Sequence, residues 1–153
     1  MNFLVALGNR LLDLAKHFNW LPPLFARITI GWVFISSGWG KIHHIDKVIG
    51  FFTSLGLPAP SFQAHLVACT ELTAGLLVLA GLATRLASIP LIVIMIVALR
   101  TAFADKLAGG LADDFSALTG IAEFLYIPLL VWLIVAGPGR VSLDAGIARR
   151  FRG

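Results

Sequence analysis

The apolar positions of this chain run in long blocks instead of alternating, and the blocks have the length of membrane crossings. A helix needs roughly 20 mostly apolar residues to cross the hydrocarbon layer, and four such stretches fit without overlap. They run from about Leu21 to Gly40, Ser61 to Leu82, Leu86 to Ala104 and Phe115 to Ala136. The first opens on Pro22 and Pro23, where missing amide donors cost little. It is bracketed by Trp20 and Trp39, two indoles roughly 28 Å apart along a helix, near the spacing of the two headgroup belts. The turn-rich Gly56-Leu57-Pro58-Ala59-Pro60 precedes the second, and Gly137-Pro138-Gly139 stops the fourth. The runs are too continuous for barrel strands. The pattern predicts an all-α integral membrane protein: a four-helix transmembrane bundle over 21–140 with an N-terminal interfacial amphipathic helix.

That N-terminal helix is expected over 1–18, where Asn2, Asn9, Arg10, Asp13, Lys16 and His17 share one arc and apolar side chains fill the other. Residues 141–153 are expected as a cytoplasmic basic tail, with a short helix from Ser142, its N-cap, to Phe151. No cleavable signal is expected, since Met1-Asn2-Phe3 lacks a basic start.

Composition agrees. Of the 153 residues 58% are hydrophobic and 13% charged, about half the charge fraction of a soluble domain. The net charge of +4 comes from scattered and terminal basic residues, which argues against a nucleic-acid partner. Arg10, Lys16, Arg85, Arg140, Arg149, Arg150 and Arg152 fall on one side of a four-crossing topology and Lys41, Lys47 and Lys106 on the other, which places both termini in the cytoplasm.

Four ionisable residues lie inside the proposed spans: Arg27, Glu71, Arg100 and Glu123. Each costs about 2.5–3.5 kcal/mol at a helix centre on insertion scales, so each is expected to face the bundle interior and find a partner. Arg27, Gly31, Phe34, Gly38 and Lys41 follow steps of four and three, making one inward seam, and the same steps around Glu71 give Ala64, Ala68, Ala74 and Gly75. Depth along the helices suggests Arg27–Glu71 and Arg100–Glu123 contacts, with Glu71–Arg100 as the cross-pairing. Pro128 is expected to kink the fourth helix toward a cavity. Arg27, Lys41, Glu71, Arg100, Glu123 and Tyr126 are the candidate ligand-binding residues, with Trp39, His43 and His44 at the pocket mouth. No catalytic residue is identified. Ser36 and Ser37 read as packing residues.

The single cysteine, Cys69, excludes a disulfide or cysteine-ligated cluster built from this chain alone, and His43, His44, His65 and Cys69 are not at metal-motif spacing, so no metal is expected. There is no nucleotide-binding glycine fingerprint. No intrinsic cofactor is expected, and any redox chemistry would use a quinone or a partner subunit.

The run Arg27-Ile-Thr-Ile-Gly31-Trp-Val-Phe34-Ile-Ser-Ser-Gly38-Trp-Gly-Lys41, the Gly56–Pro60 turn, Glu71-Leu-Thr-Ala-Gly75 through Gly81-Leu-Ala-Thr84-Arg85, and Gly137-Pro-Gly-Arg-Val-Ser142-Leu-Asp144 together resemble the DoxX family from about Leu24 to Ala148. The resemblance implies a small bacterial inner-membrane protein with four helices, whose relatives are linked to membrane oxidoreductase assemblies, including the small subunits of thiosulfate:quinone oxidoreductase. It implies no settled reaction. Two readings stay open. One is a subunit of a redox complex that binds a quinone or small acidic substrate in the Arg/Glu pocket. The other is a non-catalytic scaffold or transporter-like subunit whose charges are wholly paired. The lipid bilayer, a redox partner subunit and a second copy of the chain are the partners considered.

Overall fold

A computed structural model describes residues 16–104 and 119–151, and every described regular element is helical. The helices are α1 (Leu21–His43), α2 (Ile45–Ser54), α3 (Pro60–Ala80), α4 (Thr84–Ala102), α5 (Ala122–Ala136) and α6 (Leu143–Phe151). The expected N-terminal amphipathic helix, the start of the expected fourth span and the last two residues of the basic tail lie largely outside the described residues.

Local chemistry sets the boundaries. Pro22 and Pro23 occupy the first turn of α1, and Pro60 that of α3. Gly81, at φ +70°, ends α3: its amide and that of Leu82 return to carbonyls of the last turn, the pattern of a left-handed glycine cap. Ser142 caps α6 as expected, its Oγ accepting from the Ala145 amide at 3.1 Å. The helix α2 has no counterpart in the sequence reading. Its signal was present in Ile45, Val48, Ile49, Phe52 and Leu55, which recur at helical spacing and are half-buried against the rest of the protein.

The helices α3 and α4 are each long and apolar enough to cross a membrane. α1 is longer but carries Arg27 and Lys41, and α5 covers 15 residues. The broadest packing is α1 along α3; α4 lies along α5, and α3 on α4, α2 on α3 and α1 on α5 follow. The α1–α3 contact explains the small-residue seams. A Cβ on Gly38 would sit 2.6 Å from the Leu72 amide nitrogen, and one on Gly75 2.9 Å from that of Ile35, so the two backbones approach closely only because both positions are glycine. The predicted seam residues Arg27, Gly31, Phe34 and Gly38 are buried, as are Ala64, Ala68, Ala74 and Gly75 opposite.

Ile30, Phe34, Val78, Leu91, Leu130 and Leu133 form the centre of the core. The surplus apolar surface points outward. Phe25, Trp32, Leu86 and Val135 are all more than half exposed, which in water would be an aggregation surface and in lipid is the expected outer coat.

Candidate functional site

Two bases of α1, Arg27 buried and Lys41 partly exposed, mark two ends of the protein. Near the start of α1, Arg27 is 3% exposed and donates only to backbone carbonyls. Its Nε reaches Val78 O at 3.1 Å and Nη2 reaches Leu79 O at 3.0 Å, satisfying the carbonyl end of α3. Its Nη1 reaches Pro138 O at 2.6 Å and Val141 O at 2.7 Å, in the loop after α5. The same end is closed further by Asp144, whose carboxylate accepts from the Ala83 amide at 3.0 Å while its own amide donates to Gly81 O. A Cβ on Gly81 would lie 2.6 Å from both the Arg27 guanidinium carbon and the Ser142 Cβ. No space remains there for a ligand.

The expected Arg27–Glu71 contact is therefore replaced. Glu71 stands eight residues before Leu79 on α3, roughly 12 Å along the helix, beyond the reach of a guanidinium already engaged with the helix end. Its partner is Lys41, two turns beyond Phe34 on the same seam. The Lys41 ammonium lies 2.5 Å from both carboxylate oxygens of Glu71 and 3.1 Å from Ser37 Oγ. Glu71 is 1% exposed and the Lys41 side chain 27%. The antiparallel pairing of α1 and α3 sets this depth: Gly38, one turn before Lys41, rests on Ala68 and Leu72.

Beside this pair is a cavity of about 760 Å³, within the range of small-molecule sites. Lys41, Glu71, Glu123 and Tyr126 all line it, so four of the six residues expected to bind a ligand meet in one place. Its remaining surface is overwhelmingly apolar, with Phe34, Phe51, Phe52 and Phe62 among the lining. Glu123 stands in the first turn of α5, where the helix dipole favours a carboxylate, and has no ion-pair partner among the described residues. The Tyr126 ring packs edge-on to Phe34 at 6.0 Å, and its hydroxyl has no hydrogen-bond partner among the described residues. Among the described lining residues the ionisable side chains are one base, Lys41, and two acids, Glu71 and Glu123. Ser37 belongs to the site too. Its signal was its place one turn before Lys41, which presents both side chains on one helix face.

Arg27 and Arg100 do not line the cavity. On α4 the inward seam is Ala87, Leu91, Met95 and Leu99, so Arg100, one residue past Leu99, is turned about 100° away and is exposed, and it makes no contact with Glu123 or Glu71. The expected mouth residues are corrected likewise. Trp39 and His43 each stand two residues from Lys41, on the opposite side of α1, where their rings pack on each other with centroids 4.4 Å apart. His44 is an exposed C-cap whose ring nitrogen lies 3.1 Å from Gly40 O. The lining at that end comes instead from α2 and the Leu57-Pro58-Ala59 turn, with Ala59 in the left-handed region at φ +47°.

Phe62 and Leu66 of α3 and Val93 and Val97 of α4 also line the cavity, and each is well exposed. No three His, Cys, Asp or Glu side chains converge as a metal site among the described residues.

Comparison with known proteins agrees with this architecture. The chain matches the DoxX family over residues 23–104. It is 35% identical to the "Uncharacterized membrane protein Rv3486" of Mycobacterium tuberculosis, over 84% of each chain. It is 35% identical to the "Putative oxidoreductase CatD" of Bacillus subtilis, over 84% of this chain and 88% of the relative. It is 30% identical to the "Inner membrane protein YphA" of Escherichia coli, over 79% of this chain and 86% of the relative. No solved structure matches it. The buried seams, the apolar coat and these relatives together make the chain a membrane protein of the DoxX family.

Proposed function

We propose that the protein is a four-helix inner-membrane bundle with both termini in the cytoplasm, formed by α1, α3, α4 and α5, and that it binds a neutral, lipid-soluble ligand of the quinone class as a subunit beside a redox partner. The observation that carries this reading is a mostly apolar cavity with Lys41–Glu71 at its polar wall and, elsewhere in its lining, the exposed apolar side chains Phe62, Leu66, Val93 and Val97 of the two helices long enough to cross a membrane. A ligand dissolved in the bilayer reaches such a cavity without passing through water. The excess of acids in this lining disfavours a small acidic substrate, because an anion would meet Glu71 already neutralised and Glu123 unopposed.

The chemistry of the wall suits a carbonyl-bearing head group. Lys41 has three donors, two on the Glu71 carboxylate and one on Ser37, and the neutral hydroxyl is the partner most readily exchanged for a ligand carbonyl oxygen. The Tyr126 hydroxyl is a second free donor on the same wall. The name of the Bacillus relative, which includes an oxidoreductase, supports a redox setting. The chain supplies binding and orientation, and electrons would pass through the partner.

The test is equilibrium binding of a short-chain benzoquinone or naphthoquinone to the purified full chain in lipid nanodiscs. Glu71→Gln, which removes the charge that positions Lys41, is expected to weaken binding about tenfold, the loss of one hydrogen bond to a charged group. Binding equal to that of empty nanodiscs, in the wild type, would favour the scaffold reading.

A further inference from the structure

The polar side chains of the cavity lining fall into two groups. Lys41 and Glu71 hold each other, Ser37 accepts from Lys41, Gln63 donates to the Pro58 carbonyl at 2.7 Å and Thr101 to that of Val97 at 2.8 Å, so each has a partner within the chain. Glu123 and Tyr126 are the two described lining residues whose polar groups have none. They stand three residues apart on α5, the spacing that puts two side chains on one helix face. The Tyr126 ring packs on Phe34, two turns of α1 before Lys41, so these two make a second polar point in the lining apart from the ion pair. A carboxylate can only accept a hydrogen bond, and in the first turn of α5 the helix dipole favours that form.

We infer that, within the quinone class on which this rests, the cavity selects the reduced form: a hydroquinone with one ring hydroxyl donating to the Glu123 carboxylate and accepting from the Tyr126 hydroxyl. Donors and acceptors decide the preference. A quinone has carbonyl oxygens and nothing to donate, so it satisfies Tyr126 and leaves Glu123 facing another acceptor. A hydroquinone hydroxyl satisfies both at once. Lys41 and Tyr126 donate to either kind of oxygen, so they set affinity, while Glu123 distinguishes the two redox forms and is the specificity-determining residue. The preference is one of binding at equilibrium and requires no electron transfer by this chain.

The experiment compares binding of a short-chain benzoquinone and of the corresponding hydroquinone, kept reduced under argon, to the purified full chain in nanodiscs, with partition into empty nanodiscs subtracted. The hydroquinone is expected to bind about tenfold tighter, the lower end for a hydrogen bond to a charged group because Glu123 is only partly buried. The same ratio raises the midpoint potential of the bound couple by about 30 mV. Glu123→Gln, whose amide supplies both a donor and an acceptor, is expected to bring the ratio near one with the quinone bound no more weakly. Tyr126→Phe should weaken both forms alike and keep the preference. A melting curve for each variant verifies that the fold is retained. Equal affinity for the two forms in the wild type, or a preference that survives Glu123→Gln, would overturn the inference and leave the quinone-class reading standing. Binding of neither form above empty nanodiscs would overturn both.

Discussion

The two ends of the helix layer use the same device, a base on the inward seam of α1, to opposite effect. At one end Arg27 meets four carbonyl oxygens and fills the space it controls. At the other Lys41 meets one carboxylate and a hydroxyl, and a cavity of about 760 Å³ opens beside it. The difference lies in the partners. Carbonyls at the end of α3 and in the loop after α5 belong to backbone that must be held somewhere, so a five-donor fork among them is a structural clamp. A carboxylate in mid-helix needs no such clamp for the backbone's sake. Its presence, 1% exposed in an apolar wall, costs stability that a leucine would not, and the open space beside it suggests what that cost supports.

The comparison breaks most visibly at Arg27. Arg27→Ala strands four carbonyls and frees the α5–α6 loop, with an expected loss of about 4 kcal/mol. The apparent melting temperature in detergent should fall by roughly 8–16 °C, by the scaling for a chain of this size. Quinone binding by whatever remains folded should be little changed, because Arg27 does not line the cavity.

Lys41 and Glu71 should behave asymmetrically. Lys41→Met leaves a carboxylate with no cation in an apolar wall and is expected to lower stability by about 3 kcal/mol. Glu71→Gln leaves a lysine that is partly exposed and can extend toward water, so its cost is smaller, about 1 kcal/mol. The double change Lys41→Met with Glu71→Leu should restore near wild-type melting while abolishing binding. A double variant as unstable as Lys41→Met alone would show that the pair contributes to the fold itself.

The smallest effect on stability is expected at the exposed apolar part of the cavity lining. Leu66→Trp enlarges a side chain of α3 that lines the cavity and is already exposed. Melting should stay within about 0.5 kcal/mol of wild type, while the rate of quinone uptake from the bilayer falls.

Much of this was legible in the sequence. Steps of four and three through Arg27, Gly31, Phe34, Gly38 and Lys41 identified the face of α1 that packs, and the alanines around Glu71 identified its counterpart, because close helix approach demands small residues at fixed spacing. The ion pairs were not legible. Counting depth from helix ends compared charges only with charges, whereas Arg27 is satisfied by carbonyls, which every residue carries and no composition reveals. Lys41, assigned to the outer face in the topology count, was overlooked as the nearest cation to Glu71. Arg100 illustrates the same limit: one residue past a buried leucine is enough to turn a side chain out of the interior.

The central claim is that the end built around Lys41–Glu71 receives a lipid-soluble ligand from the bilayer. Photolabelling of the full chain in nanodiscs with an azido-substituted quinone, followed by peptide mapping, tests it most directly. Label is expected on the cavity lining, at Leu66, Val93 and the Lys41 segment, and is suppressed by excess unlabelled quinone. Label spread evenly over the outer faces of α1, α3, α4 and α5, and indifferent to competitor, would contradict it.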